Sequence, residues 1–236
     1  MNIFSIDKIK SFLIYLKNSV FAVRYLLSNN NLNFFPKYPS FFLPVFVTVQ
    51  CKDIVGYMSI VNKPGRGKNC VADINREEIT SIKNLFSQNP KFITAKQILS
   101  EGIINIPKLD EYKFYMKMLN ENGSTRGMVS EEEIRIDLMK RIQWYESIHK
   151  DGYKFQAKSK FDYNCEVQVL ILDENKYLKV NSGNHRYAAY ELLKIDKFQA
   201  HPIAFDRKFL EKFGPTKGYK VLSELRRIIK KNKQKC

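Results

Sequence analysis

The stretch VQVLILDENKYLKVNSGNHRYAAY, residues 167–190, decides how the rest of the chain is read. Val167, Val169 and Ile171 alternate, Asp173-Glu174-Asn175 interrupts them, and Tyr177-Leu178-Lys179-Val180 resumes the apolar run. That is the pattern of two strands around a turn. Beyond it, Ala188, Ala189, Leu192, Leu193 and Ile195 recur at helical spacing, so a strand feeds a Gly-containing turn that opens a helix. A helix start presents unpaired backbone N–H groups and the positive end of the dipole. With His185 and Arg186 beside them, the turn suits an anion, most simply a phosphate. Gly183 permits positive φ and close backbone approach, Ser182 and Asn184 offer a hydroxyl and an amide, and Arg186 can fork onto two phosphate oxygens. Asn181 is a possible cap for the turn, and His201-Pro202-Ile203-Ala204-Phe205 reads as the next strand, returning beside Val180.

The chain has 236 residues, 44% of them hydrophobic and 13% aromatic, enough for a sizeable core. Its formal charge of +16 implies an acidic partner: nucleotide phosphates, nucleic acid, anionic lipid or an acidic polymer. From Asp206 to Cys236 there are eleven Lys or Arg against three Asp or Glu, so half the excess lies in the last thirty-one residues. Cys51, Cys70, Cys165 and Cys236 form no CxxC pair and follow no secretory leader, which fits a reducing cytoplasm. None has metal-ligand spacing with His149, His185 or His201, so no structural metal site is expected.

Toward the N-terminus, apolar residues from Ile6 to Leu27 recur at steps of three and four, an amphipathic helix with Ser5 as N-cap. Lys17 and Arg24 interrupt it, whereas a membrane span needs about 20 largely apolar residues. Packing onto the domain behind it and lying in the plane of an anionic membrane surface are both open uses of this segment. Residues 33–44 read as an aromatic, Pro-rich connector. Val45–Val49 and Ile54–Val61 read as strands, Lys63–Lys68 as a basic turn without a P-loop ending, and Asn75–Phe86 and Thr94–Leu99 as helices; a break over Gly102–Pro107 precedes the segment Leu109–Leu119. A boundary near residue 105 gives three parts: 1–105, a core domain over 106–206, and a basic helix or tail over 207–236.

Asn120–Gly127 is a loop by composition. Ser130-Glu131-Glu132-Glu133 follows as a capping box, with Ser130 bonding the N3 amide while Glu133 reaches back. Ile134, Leu138, Ile142, Tyr145 and Ile148 mark the buried face of a long helix ended by Gly152.

GNHRYAAYELL, starting at Gly183, resembles the GCHRYAAY segment of sulfiredoxins and, more loosely, the second box of ParB N-terminal domains, where Gly and Arg bind nucleotide phosphates. The family's earlier box, an Arg before a helix that ends in Gly, is echoed by Ser124-Thr125-Arg126-Gly127 and Gly152. The likeness covers roughly residues 120–206. It implies an α+β fold, a small mixed sheet with helices in the C-terminal half. It also implies binding of ATP or CTP with Mg²⁺, the phosphates being held by Arg126, Ser182, Gly183, Asn184, His185 and Arg186. Where sulfiredoxin has its catalytic Cys this chain has Asn184, and an amide is no nucleophile, so sulfinic-acid reduction by that route is not expected. Too few residues follow the last strand for the helix-turn-helix and dimerisation domains of partition proteins. The fold also hosts small-molecule kinases, which implies a phosphotransferase or NTP hydrolase acting on a small-molecule, carbohydrate or lipid-linked acceptor, with a carboxylate activating the acceptor. Asp110, Glu111, Glu131 and Asp137 are the carboxylates at hand. Glu111, read as a loop residue before the core, is chosen with His185 as the catalytic pair. The alternative is a ParB-like nucleic-acid-binding protein or nuclease.

Overall fold

Alternating apolar residues on either side of Asp173 build the centre of the sheet. The computed structural model describes residues 23–30, 32, 46–59, 70–153, 166–180 and 182–234. In chain order the elements are α1 (described over 23–27), β1 (Val47–Gln50), β2 (Ile54–Met58), β3 (Val71–Ala72), α2 (Ile82–Gln88), α3 (Pro90–Leu99), α4 (Asp110–Asn122), α5 (Glu131–Asp151), β4 (Val167–Asp173), β5 (Lys176–Val180), α6 (Asn184–Leu192), β6 (Lys197–Asp206), α7 (Arg207–Glu211) and α8 (Gly218–Gln234). The amphipathic pattern over 6–22, the connector 33–44, the basic turn 63–68, Asn181, Cys165 and Cys236 lie outside the described residues. Among the described residues, no helix is long and apolar enough to cross a membrane.

The expected hairpin forms. β4 and β5 pair antiparallel with Leu170 opposite Leu178 and Asp173 opposite Lys176, and the Asp173 carboxylate accepts from the Glu174 N–H at 3.0 Å across the turn. The fold is α+β: six strands form one mixed sheet in the order β1-β6-β4-β5-β2, with β3 continuing the β1 side of β6. The sheet therefore draws strands from both sides of residue 105. β6 does not return beside Val180. It runs parallel to β4, His201 opposite Gln168, because the other flank of β5 is taken by β2, with Met58 opposite Val180.

Both faces of the sheet are covered. Val167, Val169, Ile171 and Tyr177 belong to the main core with the helices, while Leu170, Leu178, Val180, Met58 and Ala204 form a smaller cluster. The period of two along β5 thus puts Lys179 on the same side as Tyr177. α5 presents Ile134, Leu138, Ile142, Tyr145 and Ile148, all buried, as its pattern predicts. Each such side chain is worth about 1.5–3 kcal/mol of burial.

Helix ends show where local chemistry overrode periodicity. Asn75–Phe86 is not one helix. Asn75 caps a short 3₁₀ turn (Arg76–Glu78), Thr80 pairs through its backbone with Tyr57, and only then does Ser81 cap α2 by accepting from the Asn84 N–H. α3 starts earlier than expected, at Pro90 behind the Asn89 cap, where the missing proline donor is harmless. Ser130 caps α5 as foreseen, but Glu133 reaches back to the Val129 N–H rather than to that of Ser130. Gly152 closes α5 at φ 76°.

Candidate phosphate-binding site

The site grows from the turn between β5 and α6. Gly183 is the N-cap of α6 at φ 78°, and its carbonyl accepts from the Tyr187 N–H at 2.9 Å. A Cβ there would lie 2.6 Å from Val167 Cα and 2.7 Å from the Glu166 carbonyl oxygen. The close approach that requires glycine is therefore to the protein's own β4. Beneath the turn, Lys179 is fully buried, and its Nζ donates to the carbonyls of Val180 at 2.7 Å and Ser182 at 2.5 Å and to Asn184 Oδ1 at 2.7 Å. Burial, reinforced by the charge of Lys91, pulls this amine well below the ordinary lysine pKa. Three acceptors nonetheless match its three N–H bonds, tying the turn to the sheet. Asn184 thus turns its oxygen inward to Lys179.

Glu111 lies not in a loop but in the first turn of α4, fully buried. Its backbone N–H donates to Thr94 Oγ1 at 2.9 Å, and its carboxylate accepts from the Tyr115 hydroxyl and from Arg141 Nη1. His185 Nε2 stands 2.9 and 2.8 Å from its two oxygens. Arg141 Nη1 is also 2.5 Å from Nε2. Nε2 cannot donate to Glu111 and accept from Arg141 at once; in the tautomer that donates to Glu111 the lone pair is on Nδ1. Burial alone would raise the Glu111 pKa, but the bond from His185 and the charge of Arg141 outweigh it and hold it at about 2. For His185 burial prevails over the attraction of Glu111, so its pKa falls below the ordinary value and the imidazole is neutral at pH 7. Burial, helped by Glu111, lifts Tyr115 to about 12, keeping its hydroxyl a donor.

Above this pair opens a cleft of about 340 Å³, lined by Lys91, Arg126, Asp137, Lys140, Arg141, Trp144, Ser182, Gly183, Asn184, His185 and Arg186. Five cationic side chains face one carboxylate. Arg126 comes from a two-residue turn in which Thr125 and Met128 exchange backbone hydrogen bonds, with Arg126 at φ 52° and Gly127 at φ 82°. Its Nη1 donates to the Tyr115 hydroxyl at 3.0 Å and lies 3.9 Å from Asp137. Arg186 stacks over Trp144 at 5.9 Å. Burial and the neighbouring charge of Arg126 lower the pKa of Lys91.

All six phosphate-contact residues of the sequence reading, Arg126 and Ser182 to Arg186, line one cleft. Glu111 does not line it and reaches it through His185 and Arg141. Of the other carboxylates, Asp110 is engaged by Gln97, Glu131 pairs on the surface with Arg135 and Tyr112, and Asp137 alone lines the cleft. Sequence reasoning missed Arg141, Lys91, Trp144 and Lys179. The Asp137–Arg141 spacing of four was visible as a helical ion pair, but nothing in the sequence aims it at Glu111, thirty residues away. Among the described residues no group of three or more His, Cys, Asp or Glu could hold a metal ion. Asp137, the candidate carboxylate that lines the cleft, is itself ion-paired with Arg141 and, at 3.9 Å, with Arg126. Comparisons with protein-family models, with characterised proteins and with solved structures find no match for this chain.

Proposed function

We propose that the cleft binds the phosphates of a nucleoside triphosphate, ATP or CTP, and that the protein is a phosphotransferase or NTP hydrolase. The observation that carries this is the convergence at the start of α6. A glycine-capped helix N-terminus, four side chains of the 182–186 segment and the cations of three other helices or turns meet in one cleft beside a buried carboxylate–imidazole pair. The helix start and guanidiniums complement phosphate oxygens and the charge that builds on them during transfer. Neutral His185, oriented by Glu111 at Nε2, takes the proton of the attacking hydroxyl or water at Nδ1 as the new oxygen–phosphorus bond forms and the bond to the leaving nucleotide breaks. Glu111, held near pKa 2, is too weak a base for that step and acts as the positioning partner. Mg²⁺ would supply charge neutralisation on the phosphates.

The test is calorimetric titration of ATP and CTP, with Mg²⁺, into the wild type and Arg186→Ala. The variant is expected to lose nucleotide binding with its melting temperature nearly unchanged, and unaltered affinity would sink the reading. A second reading rests on the +16 charge and on the exposed Lys220, Arg226 and Arg227 of α8: nucleic-acid binding through the outer face of that helix. It requires retention on DNA or RNA that weakens steeply with salt.

A further inference from the structure

Asp137, Lys140, Arg141 and Trp144 follow one another along α5 at steps of three, one and three, and all line the cleft. They form one stripe of the helix, running from the ion-pairing end at Asp137 to an indole. Trp144 is partly buried against the main core, and no described residue accepts a hydrogen bond from its indole N–H. Tyr145 meets it edge-on at 5.2 Å, and the Arg186 guanidinium lies over its ring at 5.9 Å. A cationic cleft made only for inorganic phosphate has no use for an aromatic wall with an open donor. A flat, hydrogen-bonding ring stacked beside a phosphate chain uses both.

We infer that Trp144 is a base-stacking subsite, so that the ligand of this cleft is a nucleotide recognised by its heterocycle as well as its phosphates. This rests on the phosphate reading above and deepens it. Arg186 joins the two parts, because its guanidinium lies over the indole and the same side chain lines the cleft.

Trp144 is the single tryptophan of the chain, so its emission reports on the subsite directly. The experiment titrates ATP, CTP and tripolyphosphate into the wild type, Trp144→Ala and Trp144→Phe, reading calorimetric affinity for all three proteins, fluorescence for the wild type, and circular dichroism to confirm folding. Nucleotides are expected to quench the emission and to bind more tightly than tripolyphosphate. Trp144→Ala should weaken nucleotide binding by about 5- to 150-fold, the range of one base–aromatic stack, with tripolyphosphate affinity unchanged. Trp144→Phe should retain most of the preference. Equal affinity of the wild type for nucleotides and tripolyphosphate would overturn the inference. So would an equal loss for both ligands in Trp144→Ala, which would make the indole only a prop for Arg186. If none of the three ligands binds, the phosphate reading itself falls, a result distinct from either of these.

Discussion

Replacing Glu111 with glutamine removes the charge that organises the site, and the effect follows from the acid-base balance of the folded state. The carboxyl titrates near 2 in the fold against an ordinary value of 4.5. Its ionisation therefore stabilises the protein at every pH above about 4.5 and ceases to do so as pH falls toward 2. A difference of that size is worth about 3 kcal/mol at neutral pH, of which about 2 kcal/mol is lost by pH 3. In Glu111→Gln, Arg141 keeps Asp137 but loses its buried partner, and removing one member of a buried pair costs about 3–5 kcal/mol. For a chain of this size that lowers the melting temperature by roughly 6–20 °C at pH 7. Urea unfolding of both proteins at steps from pH 7 to pH 3 checks the two parts together. The gap between them is widest at pH 7 and narrows by about 2 kcal/mol toward pH 3. Parallel curves, or a variant as stable as the wild type at pH 7, would show that Glu111 is not an ionised group held by Arg141 and His185.

Other outcomes follow from the same geometry. Gly183→Ala forces a Cβ to within 2.6 Å of Val167 Cα at a positive φ. Strain and overpacking together should cost about 2–5 kcal/mol, read as a lowered midpoint in urea. Lys179→Met strips three carbonyl-type acceptors of their donor, so it should destabilise by about 2–4 kcal/mol and weaken ATP binding through a loosened turn. Wild-type affinity in a folded Lys179→Met protein would disconnect the lysine from the site. If turnover is found, its rate should rise with pH through a single pKa below 6.5, since burial favours neutral His185 and only that form accepts a proton, and His185→Asn should abolish that limb.

The parts of the fold legible in the sequence were those written in local periods. Residues 167–180 carried their hairpin in alternation and a turn, and Ile134 to Ile148 carried the buried face of α5 in steps of three and four. The helix boundary at 75–86 failed because Ser81 and Asn75 both cap and Thr80 is recruited by Tyr57, a contact that no local pattern announces. The placement of β6 failed because it depends on β2 occupying the far side of β5, which is decided more than a hundred residues upstream. At the site, residues 182–186 and Arg126, singled out for the anion-binding chemistry expected of them, do line one cleft. Glu111 was found as a carboxylate but not in its surroundings, since its partners Arg141 and His185 come from two other helices. Lys179 sits in a strand whose polar residues ordinarily face solvent, and only the covering of both sheet faces puts it inside.

The strand order carries a consequence for how the molecule assembles. The middle of the sheet comes from residues 167–206, while β1, β2 and β3, which close its two sides, all come from residues 47–72. The earliest strands synthesised thus have no mates until the chain has grown by more than a hundred residues. Such distant pairing favours slow folding, and among the described strands β4 and β5 form the local hairpin around which the rest can gather. A fragment starting after residue 72 would retain the turn and helix of the site yet expose unpaired backbone along β5 and β6. Open flanks of that kind recruit copies of themselves, so the N-terminal strands guard the solubility of a molecule whose cleft is lined by later residues.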